Sequence, residues 1–508
     1  MKPGTPGGIG TNVVANMVGR AATILSNFIF LPFYLAFLGA EAYGVIAIYA
    51  SVLGILAISD LGLTATMNRE MARLSLEEDP DPIKDTVRTL ESVYFAIAAA
   101  LSVVVVLAAP LVAGDWVTVE QLSVGTVENA VRLMGAAAVF QLVSILYVGG
   151  MLGLERQVHL NVILTTMAAL RGGGSVLVLW LIDPSLEAFF VWQVVVNIAQ
   201  FMWLRMAVLG SLPASSRRPR FKRNVVRRIW RYSAGMMGMS ITGAILLQTD
   251  KVILSRALSL ETFGFYSIAW IVAQAPVNAL SNPVYRAVFP RMTQYVETEA
   301  RSSLRALYHL SCQVVSVLVL PVGIVITLFG HEVLMAWLGE GVAADAVYPL
   351  LVPLAVAMTI TGMLVMPYAL QLAHEWTSLA VSANTVAGVV FIPLVLGLVG
   401  KYGAVGGGIA WILLTSAQLA MVIGVMHRFI LKGHARRWLT RDVMLPLAGA
   451  ALPALVVRGF LPDLHGRVTL VAVLGGIWFL SSLGALAVTP GPRNWLLARY
   501  RRSRKRLA

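Results

Sequence analysis

The sequence predicts an all-α polytopic membrane protein with about fourteen transmembrane helices. The chain is 58% hydrophobic and 13% charged, whereas soluble domains are about 45–50% apolar and about 25% charged. Apolar windows of about 20 residues recur along the chain, and each is long enough to cross a hydrocarbon core of about 30 Å. No soluble core has room for this many apolar residues, so the windows are predicted to be membrane spans.

The predicted spans follow one another with short connections. They cover approximately residues 12–38, 42–63, 91–113, 129–154, 159–182, 186–209, 232–258, 264–290, 308–330, 347–373, 376–400, 404–430, 443–461 and 468–489. The opening MKPGTPGGIG lacks the charged region and the small-residue cleavage site of a signal peptide, so the first span is expected to be retained. None of the connections is long enough to fold as a separate domain.

Positive charge is distributed unequally between the two sides of the predicted membrane. With the N-terminus inside, the cytoplasmic segments carry 31 of the 39 Lys and Arg residues, and the opposite loops carry 3. This asymmetry follows the positive-inside rule. It predicts that both termini lie in the cytoplasm.

Topology also explains the net charge of +14 without a nucleic-acid partner. The strongest basic run, RRPRFKRNVVRRIWR at 217–231, is typical of a cytoplasmic loop beside an anionic leaflet. Binding of anionic lipid or nucleic acid is the functional alternative for this run. The single cysteine, Cys312, falls in an apolar span and offers neither a disulfide nor a metal cluster. The sequence therefore predicts no cofactor and no metal site.

A motif recurs at a constant offset of 220 residues. LGAEAYGVIAIYAS (38–51) and LSLETFGFYSIAWI (258–271) share Leu, Glu, an aromatic residue, Gly and Ile, and each lies at an outside turn between two spans. The repeat predicts two pseudo-symmetric six-helix bundles, 1–209 and 232–430, related by an axis along the membrane normal. A basic cytoplasmic linker (210–231) joins them, two extra transmembrane helices (443–489) follow, and a basic cytoplasmic tail (490–508) completes the chain.

Charged side chains inside the predicted spans are the candidate site residues. Arg20 lies on the inner side, Arg171 at the centre and Lys251 on the outer side, and Asp250 is the one acidic residue well within a span. A basic residue at the middle of a membrane helix costs about 2.5–3.5 kcal/mol on insertion scales, so it normally faces water or a partner. In TTMAALRGGGSVLVLWL (165–181), three glycines after the arginine would let a helix or a ligand approach the backbone.

These charges predict a cationic, substrate-binding cavity between the bundles. Asp250 is a candidate charge partner for one cation or a candidate for ion coupling, and the other cations would need anions from elsewhere. Phosphate groups of a substrate would supply those anions through charge-assisted hydrogen bonds. The structural alternative is that Arg171 caps backbone carbonyls around the glycine break.

The order of the motifs resembles that of a known transporter family. LGAEAYGVIAIYASVLGILAISDLGLTATMNREMAR (38–73) resembles the N-terminal signature of Wzx-like polysaccharide-biosynthesis flippases, with its G-x-E-x-[YF]-G turn and D-x-G-[LI]. TDKVILSRALSLETFGFYSIA (249–269) and KYGAVGGGIAWILLTSAQL (401–419) are similar to the same family. This family is a branch of the multidrug/oligosaccharidyl-lipid/polysaccharide (MOP) exporter superfamily, and the resemblance covers the whole chain.

The resemblance implies a flippase of the bacterial plasma (inner) membrane. It would move an undecaprenyl-diphosphate-linked oligosaccharide from the inner to the outer leaflet, by alternating access, for O-antigen or exopolysaccharide synthesis. The implied fold is MATE-like, with two bundles in a V around a cationic cavity. The implied partners are the lipid-linked oligosaccharide, membrane lipids and other membrane proteins of polysaccharide assembly. No catalytic residues carry over.

Alternative functions come from the same superfamily and from enzymes. A lipid II flippase also handles a lipid diphosphate, whereas a multidrug exporter for cationic drugs would favour an acidic cavity. A membrane glycosyltransferase or polymerase generally needs a sizeable outside loop or an acidic metal-binding pair, and the sequence has neither. The loops also lack GxxxxGK[ST], so no nucleotide hydrolysis is expected. The chain is therefore predicted not to be an enzyme.

Overall fold

The computed structural model describes residues 9–56, 63–74, 81–212, 217–227, 246–460 and 466–495, and the side chains at 9–25, 27, 63, 377–381 and 383 are not among those described. Within these ranges the chain forms helices and no strand, so the prediction of an all-α protein is confirmed. It divides into two compact units, Met1–Gly264 and Phe265–Ala508.

In the first unit, the central helix packs against two long neighbours. The helices are α1 (Ile9–Leu56), α2 (Leu63–Leu74), α3 (Asp81–Leu111), α4 (Val124–Gly153), α5 (Gln157–Leu181), α6 (Leu186–Leu209) and α7 (246–257). α4 packs against α3 and α6, and α1 packs against α5. Large side chains of α4, such as Met134, Leu146 and Tyr147, are fully buried in this interior. Because these side chains are buried, few apolar residues of α4 remain exposed to lipid.

The first predicted span (12–38) and residues 42–56 of the second lie within α1, which breaks at Gly39. This residue has a φ of 82°, a left-handed conformation that costs glycine little because it has no Cβ. Two residues later, the carboxylate of Glu41 accepts hydrogen bonds from the backbone N–H groups of residues 120–122, at 2.6 to 2.9 Å. The G-x-E part of the motif therefore bends the chain and holds the segment that leads into α4.

The two copies of the repeated motif contact each other through their glycines, within the first unit. A Cβ added to Gly44 would lie 2.0 Å from the carbonyl oxygen of Leu260, and one added to Gly264 would lie 2.6 Å from that of Ala40. The two contacts are equivalent under the 220-residue offset. Glycine is required at both positions because any side chain would collide with the opposite backbone. The bundle boundaries at 209, 232 and 430 stay predictions.

The second unit ends in a helical pair that packs against earlier helices of the unit. α8 (Leu260–Pro276) leads into this unit, which continues through α9 (Asn282–Glu297), α10 (Arg301–Leu328), α11 (Gly330–Leu338), α12 (Val342–Ala373), α13 (Thr377–Tyr402), α14 (Ala404–Met421), α15 (His427–Phe429), α16 (Ala435–Arg437), α17 (Leu445–Phe460) and α18 (Arg467–Val488). α17 and α18 pack against each other and against α10. Gly449 and Gly484 bring the backbones of the pair together, because a Cβ on either would lie within 2.6 Å of the other's carbonyl oxygen.

Twelve helices of the described residues are long and apolar enough to cross a membrane. The third to sixth and the eighth to fourteenth predicted spans each match one of them, the first two share α1, and the seventh falls partly on residues outside the described ranges. The number fourteen therefore stays a prediction. Apolar side chains such as Leu107, Trp180 and Leu181 are about two-thirds or more exposed, as a lipid-facing surface requires. A multi-pass membrane protein is confirmed.

Candidate functional site

Arg171 lies near the middle of α5 and donates hydrogen bonds to three amide side chains. Its Nη2 group lies 2.8 Å from Asn197 Oδ1, 2.8 Å from Gln200 Oε1 and 3.3 Å from Gln141 Oε1. Gln141 belongs to α4, and the other two amides belong to α6. We call these four residues the Arg171 cluster. All three acceptors are neutral, and a guanidinium does not lose its proton in proteins, so the cluster carries a positive charge.

No carboxylate neutralises this charge within the part of the chain that the structure describes. The contacts of Arg171 are the three amides, with the hydroxyl groups of Tyr34 and Tyr49 nearby. Burying a charge is costly unless the charge is paired and hydrogen-bonded. Neutral amides offset part of that cost and leave the charge itself in place. The cluster is therefore suited to an anionic ligand.

Asn197 is held so that its side-chain oxygen faces the guanidinium. Its Nδ2 group donates to the backbone oxygen of Ala137 and to the hydroxyl oxygen of Tyr49, both at 3.2 Å. Because the amide nitrogen is occupied by these two acceptors, the oxygen is left for Arg171. Helices α1, α4, α5 and α6 thus meet at one polar network, which orients the arginine.

The glycines that follow the arginine let aromatic rings pack against α5. A Cβ on Gly172 would lie 2.1 Å from the ring of Phe30, and one on Gly174 would lie 2.4 Å from the ring of Trp192. The middle glycine, Gly173, has no neighbour closer than 3.4 Å. The sequence predicted that the glycines let another helix approach α5, and side chains of α1 and α6 do so. Backbone carbonyls around the glycines do not accept from the guanidinium, so the capping alternative is wrong.

The family model described as polysaccharide biosynthesis protein matches residues 35–343, which is more than half of the chain. The chain belongs to the polysaccharide biosynthesis protein family. The match includes the repeated motifs and the whole of the Arg171 cluster.

Two curated relatives of this family member are named as transporters. The succinoglycan biosynthesis transport protein ExoT of Rhizobium meliloti (strain 1021) is 26% identical over 342 residues, which cover 64% of this chain and 63% of the relative. The chain thus spans less than two-thirds of the length of that relative. The "Putative O-antigen transporter" of Shigella flexneri is 20% identical over 402 residues, covering 79% of this chain and 93% of the relative.

Solved structures of two membrane transport proteins share the fold. The lipid II flippase MurJ in an inward closed conformation matches with a TM-score of 0.70 and 11% identity, covering 93% of this chain and 97% of that one. An inward-facing multidrug resistance MATE transporter matches with a TM-score of 0.64 and 13% identity, covering 83% and 99%. The MATE-like fold is confirmed, and so is the resemblance to Wzx-like members of the superfamily.

Lys251 and Asp250 are not among the described hydrogen-bond partners of Arg171. Lys251 of α7 donates from Nζ to the carbonyl oxygen of Leu247, one turn earlier on the same helix, at 2.9 Å. Its neighbour Asp250 is fully buried. The side chain of Arg20 lies outside the described residues. Substrate binding by Arg20, Arg171 and Lys251, and ion coupling by Asp250, stay predictions.

Sequence reasoning missed the amide side chains that hold the arginine. Gln193, Asn197 and Gln200 are separated by four and three residues, so they share one face of α6. Gln193 extends the network by donating to Ser175 Oγ at 3.0 Å. A search for polar residues at helical spacing would have found this stripe in the sequence. Its pairing with Arg171 needed the packing of α5 against α6.

Another buried charge of the first unit is neutralised by an arginine. Glu91 of α3 is 4% exposed, and its Oε1 accepts from Arg205 Nε at 2.6 Å and from the hydroxyl group of Tyr147 at 2.7 Å. Arg88 adds a second guanidinium at 3.3 Å from Oε2. An open cavity of about 310 Å³ adjoins the pair and is also lined by Phe95, Phe201, Met202 and Met206. This ion pair contrasts with the Arg171 cluster, where no such carboxylate is present among the described residues.

Proposed function

We propose that this protein is a flippase for an oligosaccharide linked to undecaprenyl diphosphate, which it moves from the cytoplasmic to the outer leaflet. The observation that carries the proposal is the charge of Arg171, which neutral amides hold and no described carboxylate balances. A diphosphate would supply the missing anion. Membership of the polysaccharide biosynthesis protein family and the names of two transporter relatives support the same substrate class.

The geometry leaves the guanidinium able to bind phosphate. All hydrogen bonds of Arg171 to described residues use Nη2, so Nε and Nη1 keep their donors. These N–H groups can each donate a charge-assisted hydrogen bond to a phosphate oxygen, which is stronger than a bond between neutral groups. The amides fix the plane of the guanidinium before the ligand arrives, and this lowers the entropy that binding has to remove. Release in the outer leaflet would follow from alternating access.

A deletion strain tests the biological substrate. We expect loss of one surface polysaccharide and accumulation of its lipid-linked oligosaccharide, while growth and peptidoglycan synthesis continue. Accumulation of lipid II together with lysis would instead support the lipid II flippase. Altered drug sensitivity with normal surface polysaccharide would support a multidrug exporter. Either of these two results would contradict the proposal.

Binding of a defined lipid tests the role of the charge. The purified full-length protein in detergent is titrated with undecaprenyl diphosphate and, as a matched lipid without phosphate, with undecaprenol, while tryptophan fluorescence is recorded. We expect the diphosphate to bind at least about tenfold more tightly, which corresponds to about 1.4 kcal/mol. The difference should disappear in Arg171→Ala and persist in Arg132→Ala, because Arg132 is an exposed arginine paired with Glu128. Equal affinities for the two lipids would contradict the assignment.

A further inference from the structure

Three titratable side chains form a continuous hydrogen-bonded chain in the second unit. Asp442 lies in the π-helical turn Trp438–Met444 and is fully buried, and His309 of α10 is 2% exposed. Nδ1 of His309 is hydrogen-bonded to Oδ2 of Asp442. Nε2 of the same ring lies 2.9 Å from Nδ1 of His434, a partly exposed residue between α15 and α16. These residues, with Gln313, are called the Asp442 cluster below.

The carboxylate of Asp442 has no Lys or Arg partner among the described residues. Its Oδ1 accepts a hydrogen bond from Gln313 Nε2 at 2.7 Å, and its Oδ2 contacts His309. Among the described residues, the basic group in contact with this carboxylate is therefore the imidazole of His309. A buried carboxylate without a counter-charge is strongly unfavourable. One proton on the pair, carried by either partner, makes Asp442 and His309 neutral together.

We propose that Asp442, His309 and His434 form a proton-binding site. His434 takes a proton from water at Nε2 and releases its Nδ1 proton to Nε2 of His309. His309 then releases its own Nδ1 proton to the carboxylate of Asp442. Each imidazole gains one proton and loses one, so the net change is protonation of the carboxylate. The site lies outside the Arg171 cluster, and the proposal does not depend on which lipid the protein carries.

The groups around His434 favour the neutral form of its imidazole. The other charged and titratable groups around the chain are Arg305, Tyr308 and Cys312 of α10, His427 of α15 and Arg437 of α16. Burial is the main cause that lowers the pKa of His434, and the neighbouring His309, Arg305 and Arg437 lower it further. A neutral imidazole has one N–H donor and one free nitrogen, which is what proton exchange along the chain requires.

The proposed site lies where α10 holds the ends of the last two membrane helices. His309, Gln313 and Ser316 are spaced four and three residues apart and share one face of α10. Ser316 Oγ donates to the backbone oxygen of Asp442, just before α17, and Gln313 Oε1 accepts from the backbone N–H of Gly491, just after α18, at 2.9 Å. Loss of the proton would leave an unbalanced carboxylate at this joint. Proton binding is therefore expected to strengthen the attachment of α17 and α18.

A metal ion is a poorer account of the same residues. The facing nitrogens of His309 and His434 are hydrogen-bonded to each other at 2.9 Å. This distance leaves no room for an ion between them. No group of three or more His, Cys, Asp or Glu side chains in the described ranges has the arrangement of a metal site.

The pH dependence of thermal unfolding tests the proposal on the purified full-length protein in detergent. We expect the wild-type midpoint to fall as the pH rises above about 6.5, where an ordinary histidine is neutral, because the folded site holds a proton that the unfolded chain releases. Asp442→Asn removes the buried charge and should flatten this part of the profile. His331→Gln is the matched control, since His331 also contacts a carboxylate, that of Asp345, but at an exposed position. Equal slopes in the wild type and Asp442→Asn would overturn the proposal.

Proton release provides a second measurement that does not depend on Asp442→Asn folding. The wild type and Asp442→Leu, which has no carboxylate at this position, are denatured at pH 8 in weakly buffered detergent with a pH indicator. The wild type should release about one proton more than the variant, because only its folded state holds that proton. Equal release would overturn the proposal. A midpoint that drops on addition of EDTA would also overturn it, in favour of a metal ion.

Discussion

Arg171 in the first unit and Asp442 in the second unit are both charged groups among apolar helices, but their neighbours differ. The guanidinium faces three neutral amides, and it cannot lose its proton. The carboxylate faces a histidine, which is joined to a second histidine that reaches the surface. A permanent charge with neutral partners remains available to an external anion. A charge with titratable partners can instead be cancelled by a proton.

Glu91 shows the third arrangement and helps to interpret the other two. Its partners include Arg205 at 2.6 Å, so a permanent cation balances the carboxylate at every pH at which the carboxylate is ionised. Such a pair needs neither a ligand nor a proton. The difference among the three sites therefore lies in the partner residues, since the depth of burial is similar for Glu91 and Asp442.

Removal of the charge of Arg171 should have the largest effect on transport. We expect Arg171→Ala to abolish translocation of the lipid-linked oligosaccharide while the protein remains at a normal level in the membrane. Arg171→Lys should retain part of the activity, because lysine keeps the charge but lacks the planar guanidinium with its several N–H donors. Surface polysaccharide and accumulated lipid-linked intermediate are measured in the complemented deletion strain. Normal transport by Arg171→Ala, or failure of that variant to fold, would show that the arginine is structural.

Removal of one amide should destabilise the first unit in proportion to its hydrogen bond. Asn197→Leu removes an acceptor at 2.8 Å from the guanidinium, and hydrogen bonds to charged groups contribute about 1.5–3 kcal/mol. Gln141→Leu removes the longer contact of 3.3 Å and should cost less than half as much. Unfolding midpoints in detergent give the comparison. Equal losses for the two variants would mean that packing, rather than hydrogen bonding to the charge, governs the cluster.

The glycines beside the arginine offer a matched pair of substitutions. In Gly172→Ala the new methyl would overlap the ring of Phe30; overpacking costs about 1–3 kcal/mol, offset by about 1 kcal/mol of helix propensity. Gly173→Ala meets no atom closer than 3.4 Å and should be neutral or stabilising by up to about 1 kcal/mol. Thermal unfolding of the two variants distinguishes them. If both lose the same stability, ring packing does not explain the glycines.

The smallest expected effect is at the acidic side of the stability profile. Because the pKa of His434 is lowered in the folded protein, the unfolded chain binds more protons at this residue below about pH 6.5, and stability falls as the pH decreases. His434→Gln should reduce this acidic loss of stability and leave the loss at alkaline pH in place. Asp442→Asn should instead remove the loss of stability at alkaline pH and leave the acidic loss in place. A His434→Gln profile identical to that of the wild type between pH 5 and 7 would show that the residue has no part in the titration.

The helices and the exceptional position of Arg171 could be predicted because both depend on nearby residues. A run of about 20 apolar residues specifies a span through its own length and hydropathy, and the count of charges on each side specifies the expected topology. The repeated glycines Gly44 and Gly264 were visible for the same reason, although their mutual contact was not. At Gly172 and Gly174 the sequence predicted only that a helix or a ligand could approach the backbone, and it did not predict the aromatic rings that pack there.

The sequence by itself determined that the chain is helical, that it spans a membrane repeatedly and that an arginine lies in the middle of α5. Tertiary structure alone decided which buried charges have a neutralising partner and which do not. Arg171 lies 26 residues from Asn197, Glu91 lies 114 residues from Arg205, and His309 lies 133 residues from Asp442. Helical periodicity relates residues only three or four positions apart. Partners at these separations meet through the packing of whole helices, so their chemistry becomes visible only once the fold is known.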